Sequence, residues 1–244
     1  MSDVAVVLVE PQGPLNIGSV CRAMANFGFS DLRLVNPQTD HLCEDARQMA
    51  VKAGGLLELA QIYPTLAAAL SDRQYALGTT RRFGRYRDDF LAPHEAAQCL
   101  GELGQISTAL VFGREDCGLL TEELDLCQRF ITIPTSDDFP SMNLAQAVSL
   151  CLYELAKVGA ITASVSSVEL ADNADVENMF AHMRTSLTNI EYLVESNPDH
   201  ILRTYRRIFG RAGLSPRDVK VLRGLWRRIG WLYNQLEEKG TENR

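Results

Sequence analysis

The feature that most constrains this chain is an alternation, along its first two thirds, of short β-branched apolar runs with helix-like segments. VAVVLVE (4–10) is followed by the turn-rich PQGPLNIG, a helical stretch over 18–27 and a second strand, DLRLVNP (31–37). An alanine-rich helix over 43–52 is closed by Gly54-Gly55. LLELAQIY fits either a strand or a helix, and a helix over 65–71 leads into YALGTT (75–80). A helix over about 93–103, the strand STALVFG (107–113), the short helix TEELDLC, the strand FITIP (130–134) and a helix over 143–158 complete the series. Uninterrupted apolar strands separated by helices bury both faces of a sheet. The pattern therefore predicts an α/β fold, a parallel sheet flanked by helices.

Composition changes near 160–174, where ITASVSSVELADNAD is rich in Ser, Ala and Asp and reads as a linker. Beyond it Phe180, Met183, Leu187, Ile190 and Leu193 recur at helical steps, and Ser215-Pro216 has the form of an N-cap followed by a first-turn proline. The expected organisation is a catalytic domain over 1–160, a linker over 161–174 and a small α-helical RNA-binding or dimer-supporting domain over 175–244.

Charge bears on partners through its distribution. The net charge is −7, yet Arg203, Arg206, Arg207, Arg211, Arg217, Lys220, Arg223, Arg227 and Arg228 crowd the tail. A local patch steers association with phosphate more than the total does. A second basic run, Arg81, Arg82, Arg85 and Arg87, follows YALGTT and is the better candidate for RNA contact. Trp226 and Trp231 are expected in the tail's own core, because aromatics dominate small cores. Six cysteines and four histidines lack CxxC, HxxxH or HExxH spacing, so no metal is expected and the cysteines read as small apolar residues. The N-terminus has no signal-peptide pattern, and no window approaches the roughly 18 apolar residues of a membrane span. An intracellular, cytoplasmic protein with no membrane contact is expected.

Three segments carry chemistry. Asn16-Ile17-Gly18-Ser19-Val20-Cys21-Arg22 crosses a loop-to-helix transition, with Gly18 permitting a close backbone approach and Arg22 in the helix's first or second turn. It contains no P-loop and no GxGxxG fingerprint. The second, Phe112-Gly113-Arg114-Glu115-Asp116-Cys117-Gly118-Leu119, places charges at the carboxyl end of a buried strand, where open α/β sheets bind ligands. In the third, Pro140-Ser141-Met142-Asn143-Leu144-Ala145, Ser141 is a candidate N-cap and Asn143 opens a long apolar helix.

Together these segments resemble the signature motifs of the SPOUT superfamily of RNA methyltransferases, in its TrmH-like branch: N-x-G-x-x-x-R, F-G-x-E-x-x-G-L and S-x-N-x-A. The matches are Asn16, Gly18 and Arg22; Phe112, Gly113, Glu115, Gly118 and Leu119; Ser141, Asn143 and Ala145. The resemblance covers about residues 3–160. The tail is similar to that of the bacterial tRNA (cytidine/uridine-2′-O-)-methyltransferase subgroup, in which leucine often stands where this chain has Met142.

The resemblance implies a sheet with a deep trefoil knot and S-adenosyl-L-methionine as cofactor. The cofactor would be held by Thr79, Thr80, Arg81, Gly113, Gly118, Leu119, Ile133, Ser141 and Met142. It implies 2′-O-ribose methylation of RNA, with cytidine or uridine at position 32 of the tRNA anticodon loop as target. The catalytic residues implied are Arg22, Ser141, Asn16, Glu115 and Asn143. Arg22 stabilises the developing alkoxide, Ser141 orients the ribose or phosphate, Asn16 orients Arg22, Glu115 organises its loop or pairs with an arginine, and Asn143 supports the cofactor loop. Arg22 would come from the neighbouring subunit of a homodimer, so that the active site is shared. Alternatives are another tRNA site, ribosomal RNA, or a non-catalytic RNA-binding dimer of the same fold. A nicotinamide-dependent oxidoreductase is disfavoured, since Val35-Asn36-Pro37 supplies no acid at the end of the second strand.

Overall fold

The computed structural model of the protein describes residues 3–81, 90–159, 169–193 and 198–242. The chain divides into two compact units, Met1–Val168 and Glu169–Arg244. In the first, β1 (Val4–Val9), β2 (Asp31–Val35), β3 (Gln61–Tyr63), β4 (Tyr75–Thr79), β5 (Phe90–Leu91), β6 (Thr108–Phe112) and β7 (Arg129–Ile131) form a seven-stranded sheet. Its order is β3-β2-β1-β6-β4-β7-β5 and all its pairings are parallel. All six residues of β1 and all five of β6 are buried, as central strands covered on both faces require. The helices of this unit are α1 (Pro14–Phe27), α2 (Glu44–Ala50), α3 (Gly54–Leu59), α4 (Leu66–Leu70), α5 (Pro93–Leu103), α6 (Thr121–Leu124) and α7 (Leu144–Gly159). The chain fills β1 to β3 on one side of β1 and then crosses to the other. Such a reversal opens a crevice at the carboxyl ends of the strands.

Local chemistry moves several boundaries from their expected places. Pro14, with its φ preset for a helix, starts α1 four residues before Gly18, with Gly13 as N-cap. Asn16 therefore lies in the first turn and Arg22 in the third, not the first or second. The alanine-rich helix ends at Ala50, because Val51 takes a φ of 53° and begins a single 3-10 turn. Gly54-Gly55 then opens α3 rather than closing α2. LLELAQIY divides into the end of α3 and β3. Ser141 does not cap α7. The Asn143 side-chain oxygen does, accepting from the amides of Ala145 at 2.9 Å and Gln146 at 3.3 Å.

The second unit consists, among the described residues, of α8 (Asn173–Asn189), α9 (Pro198–Ala212) and α10 (Pro216–Glu242). Met179, Phe180, Met183, Leu187, Leu202, Val219 and Trp226 form its core. Leu170, Ala171 and Asn173 are buried, and the Ala171 amide donates to the Leu214 carbonyl at 2.7 Å. Packed structure thus begins inside the stretch expected as linker, while residues 161–168 lie outside the described ones. Trp231 departs from expectation: it is 47% exposed, against 7% for Trp226.

Candidate active site

A cavity of about 300 Å³ opens at the carboxyl ends of β4, β6 and β7. The turn after β6 forms one wall by folding back on itself. Arg114 and Gly118 make an antiparallel bridge, and the Gly118 amide donates to the Arg114 carbonyl at 2.9 Å. A β-carbon on Gly113 would stand 2.1 Å from the Gly118 carbonyl carbon, and Gly118 has a φ of +69°. Both positions therefore need glycine, one for space and the other for its backbone conformation. Opposite, the Thr79 hydroxyl donates to the Val111 carbonyl at 3.0 Å and the Thr80 amide to the Ile131 carbonyl at 2.9 Å. These bonds fix the segment that follows β4.

A chain of polar contacts beside this cavity joins all three motif segments. One Glu115 carboxylate oxygen accepts from the Asn16 side-chain amide at 2.9 Å and the Gly13 backbone amide at 3.0 Å; the other accepts from the Gln12 amide at 3.0 Å. Glu115 thus places an anion at the N-terminus of α1, where no side chain of the helix's own caps it. Asn16 passes the connection on, its carbonyl oxygen accepting from the Asn143 side-chain amide at 2.9 Å. Asn143 in turn caps α7. Residues 16, 115 and 143, far apart in sequence, set the mutual placement of α1, the turn after β6 and the start of α7.

Arg114 supplies a second lock. Its Nε donates to Glu10 at 2.7 Å, its two terminal nitrogens to Glu123 at 3.0 and 2.9 Å, and one of them also to the Gly118 carbonyl at 3.3 Å. Glu10 (φ 46°) and Asn36 (φ 43°) both sit in the left-handed region at adjacent strand ends, and Asn36 donates to Glu10 at 3.0 Å. Non-glycine residues hold that conformation only when their surroundings demand it. Hydrogen bonds from Arg114 and Asn36 hold the Glu10 carboxyl below the usual carboxylate range. Sequence reasoning noticed the charges between Gly113 and Gly118 but missed this clamp, whose partner Glu10 lies a hundred residues away.

All nine positions expected to touch the cofactor line the cavity: Thr79, Thr80, Arg81, Gly113, Gly118, Leu119, Ile133, Ser141 and Met142. Leu119 is also a core residue, 2% exposed. Of the expected catalytic residues, Ser141 and Glu115 line the same cavity. Asn16 and Asn143 line an adjoining groove of about 770 Å³ between α1 and α7, whose wall shares Met142 with the cavity. Arg22 lines neither. It is exposed on α1 and has no hydrogen bond or ion pair among the described residues.

Within the chain, among the described residues, the Asn16 amide bonds Glu115 and Asn143 and makes no contact with Arg22. Glu115 binds the turn at the start of α1 and, among the described residues, no arginine. Gly18 does permit a close approach, but to α2: its β-carbon would lie 2.2 Å from the Ala46 carbonyl oxygen. In the basic run, Arg81 lines the cavity, while Arg82, Arg85 and Arg87 lie outside the described residues.

The lining suits an amphipathic nucleoside ligand. Ile131, Ile133 and Leu144 offer apolar surface to a flat base, and the hydroxyls of Thr79, Thr80 and Ser141 with the glycine turn offer polar groups. The volume falls at the small end of ligand sites. No helix among the described residues is long and apolar enough to cross a membrane, and no group of three His, Cys, Asp or Glu among them is placed to hold a metal ion.

Comparison with known proteins agrees with this geometry. Residues 3–153 match the SpoU rRNA methylase family, and residues 174–239 match the C-terminal domain of the tRNA methyltransferase TrmJ. A tRNA (cytidine/uridine/adenosine-2′-O-)-methyltransferase TrmJ of Pseudomonas aeruginosa is 38% identical over 91% of each chain. The tRNA (cytidine/uridine-2′-O-)-methyltransferase TrmJ of Salmonella typhimurium is 31% identical, covering 92% of this chain and 95% of its own. The crystal structure of TrmJ from Z. mobilis superposes with a TM-score of 0.81 at 32% identity, covering 93% of this chain and 98% of that one.

Proposed function

The chain belongs to the SpoU methylase family and is an S-adenosylmethionine-dependent RNA 2′-O-ribose methyltransferase; from that premise we propose that its substrate is tRNA, methylated on a cytidine or uridine of the anticodon loop. The observation that carries the reading is the Glu115–Asn16–Asn143 chain of hydrogen bonds beside a cavity lined by every expected cofactor contact. A tRNA substrate also puts the enzyme in the cytoplasm.

When bound, S-adenosylmethionine supplies a methyl group on a sulfonium whose sulfur leaves as a neutral thioether. The work left to the protein is at the nucleophile. The 2′-hydroxyl of a bound ribose would become a competent nucleophile only as its proton passes to solvent, so the protein's part is to stabilise the charge that develops on that oxygen. Arg22 would provide fixed positive charge beside that oxygen, acting as an electrostatic stabiliser, because a guanidinium has no free lone pair with which to take the proton itself. Ser141, on the cavity wall, orients the ribose or its phosphate. Glu115, Asn16 and Asn143 hold these groups in place. The family's deep trefoil knot belongs to the same reading, since it brings the Gly113 turn and the Pro140–Met142 segment to one cavity.

A homodimer with a shared site is the second part of the reading. Arg22 stands on the same exposed face of α1 as Leu15, seven residues earlier. Leu15 is 51% exposed, and Leu150 and Tyr153 on α7, the helix packed against α1, are 41% and 48% exposed. This apolar surface suits a second copy, which would carry Arg22 to its partner's cavity.

The direct test incubates the protein with labelled S-adenosylmethionine and bulk tRNA, then digests with alkali. Label in alkali-stable dinucleotides mapping to the anticodon loop is the expected result. Cofactor binding without transfer to any tRNA would leave an RNA-binding dimer as the better account, and label elsewhere would move the target.

A further inference from the structure

Phe139, between β7 and α7, is 78% exposed, more than any other large apolar side chain among the described residues, and it stacks on no ring among them. A lone apolar residue on a surface is commonplace and by itself says nothing. What distinguishes this one is where it is held. Thr135, Pro140, Ser141 and Met142, on either side of it in sequence, all line the cavity. The Thr135 hydroxyl donates to the Pro140 carbonyl at 3.2 Å and so ties the two ends of the intervening loop together. Within that loop the Asp138 amide donates to the Ser136 hydroxyl at 3.2 Å. Pro140 fixes its own φ and biases Phe139 towards extended backbone. The ring is therefore displayed from a braced loop at the rim of the cavity. Phe139 itself does not line the cavity, which leaves it free for the second reactant rather than the cofactor.

The reach of the chain sets what this ring can meet. Phe139 lies two residues before Ser141, so their Cα atoms are at most about 7 Å apart. Ser141 is on the cavity wall, where the proposed reaction places the ribose that accepts the methyl group. A base is joined to the ribose carbon next to the one that bears the 2′-hydroxyl. Once that hydroxyl is at the cavity, the base comes within reach of a ring two residues from Ser141. In an unpaired loop a base can be splayed out to offer its face. Charge narrows the choice further. Asp137 and Asp138 are both exposed beside Phe139, and their carboxylates repel phosphate. The flat, uncharged part of a nucleotide is what the tip of this loop can accept.

We propose that Phe139 stacks on the base of the nucleotide whose ribose is methylated, and so sets that ribose beside Ser141. Stacking on an aromatic face tolerates different bases, because every base has a π face. One rigidly presented ring can therefore place the ribose without reading the base edge. The proposal rests on the reading that the enzyme methylates a tRNA ribose and goes beyond it by naming the side chain that holds the target base.

Initial rates of the full-length protein with labelled S-adenosylmethionine and bulk tRNA, paired with calorimetry for the cofactor, test it. Phe139→Ala should lower kcat/KM for tRNA roughly tenfold, since one base–aromatic stack is lost. Its cofactor Kd and melting temperature should stay at wild type. Phe139→Tyr and Phe139→Trp should restore most of the rate, whereas Phe139→Leu, apolar but not flat, should stay close to Phe139→Ala. The slope of log affinity for tRNA against log salt should be the same in all of them, because no phosphate contact is lost. Leu59→Ala, which removes a similarly exposed apolar side chain at the end of α3, should leave the kinetics at wild type. Wild-type rates in Phe139→Leu would overturn the stack. So would weaker cofactor binding in Phe139→Ala, which would put the ring on the cofactor. A rate loss that tracks a loss of oligomeric mass in light scattering would overturn it too, making the ring a contact between copies. The two claims fail separately. A wild type that methylates tRNA, matched in kcat/KM by Phe139→Ala, would sink the stack alone. Phe139-dependent binding of tRNA in fluorescence anisotropy, with no transfer to any tRNA, would sink the enzymatic reading alone.

Discussion

Arg33 and Arg114 in the sheet unit carry the same charge as Arg217 and Arg227 in the helical unit, and the two pairs are used in opposite ways. Arg33 is 3% exposed, bonded to Asp31 at 2.9 Å, Asp72 at 2.6 Å and the Ala69 carbonyl at 2.7 Å. Arg114 is held between Glu10 and Glu123. Burying a guanidinium is costly unless carboxylates surround it, and the return is geometric: such pairs fix strand ends and loops. On α10 Arg217 and Arg227 are exposed. Paired charge builds a site of fixed shape, whereas displayed charge leaves the backbone around it unconstrained by ion pairs.

Arg22 is an exposed arginine of the sheet unit with no ion pair among the described residues, and the largest effect is expected there. Arg22→Ala should lower the methylation rate by on the order of a hundredfold or more, as for loss of a transition-state charge contact. Cofactor affinity by calorimetry and the melting temperature should stay near wild type. A large loss of cofactor binding would put Arg22 among the paired arginines instead. The tryptophans give the next contrast. Trp226→Ala removes a core side chain and should destabilise the helical unit by about 3–5 kcal/mol. Trp231→Ala should stay within about 0.5 kcal/mol in urea unfolding. Equal losses would mean that the unit needs both.

Arg114→Met leaves Glu10 and Glu123 without their counterion. A loss of about 2–3 kcal/mol is expected, below that for a fully buried pair because Glu10 is 31% exposed. Weaker cofactor binding should accompany it, since the turn that Arg114 braces lines the cavity. The smallest effect is expected in acid. Hydrogen bonds from Arg33 hold the Asp72 carboxyl far below its ordinary range, and Arg114 lowers Glu10 less strongly. Groups depressed on folding contribute their full stability above their unfolded pKa of about 4 and lose it as pH falls through the folded value. The wild-type melting temperature should therefore drop more steeply below pH 4 than that of Asp72→Asn. Parallel curves would remove these pairs from the account.

What was legible in the sequence follows the same division. The sheet strands announce themselves because central parallel strands must be apolar throughout, as Val4–Val9 and Thr108–Phe112 are. Motif spacing located the cavity, because Gly113 and Gly118 answer to local backbone geometry that leaves a local trace. Partners distant in sequence left none. Nothing near Arg114 points to Glu10, and nothing near Asn143 shows that it both caps α7 and reaches Asn16. Ser141 looked the better cap only because the helix start was placed early. Pro14 was the overlooked sign that α1 begins before Gly18. Trp226 and Trp231 have similar arginine-rich neighbours in sequence, and only the helix's rotation separates core from surface.

The shared site is tested most directly by mixing two inactive variants, Arg22→Ala and Ser141→Ala, and letting subunits exchange. If Arg22 acts in the partner's cavity, half of the sites in a mixed dimer pair an intact Arg22 with an intact Ser141. Random pairing then restores about a quarter of wild-type activity. No recovery, in a mixture shown to contain mixed dimers, would mean that Arg22 and Ser141 serve one site within one chain.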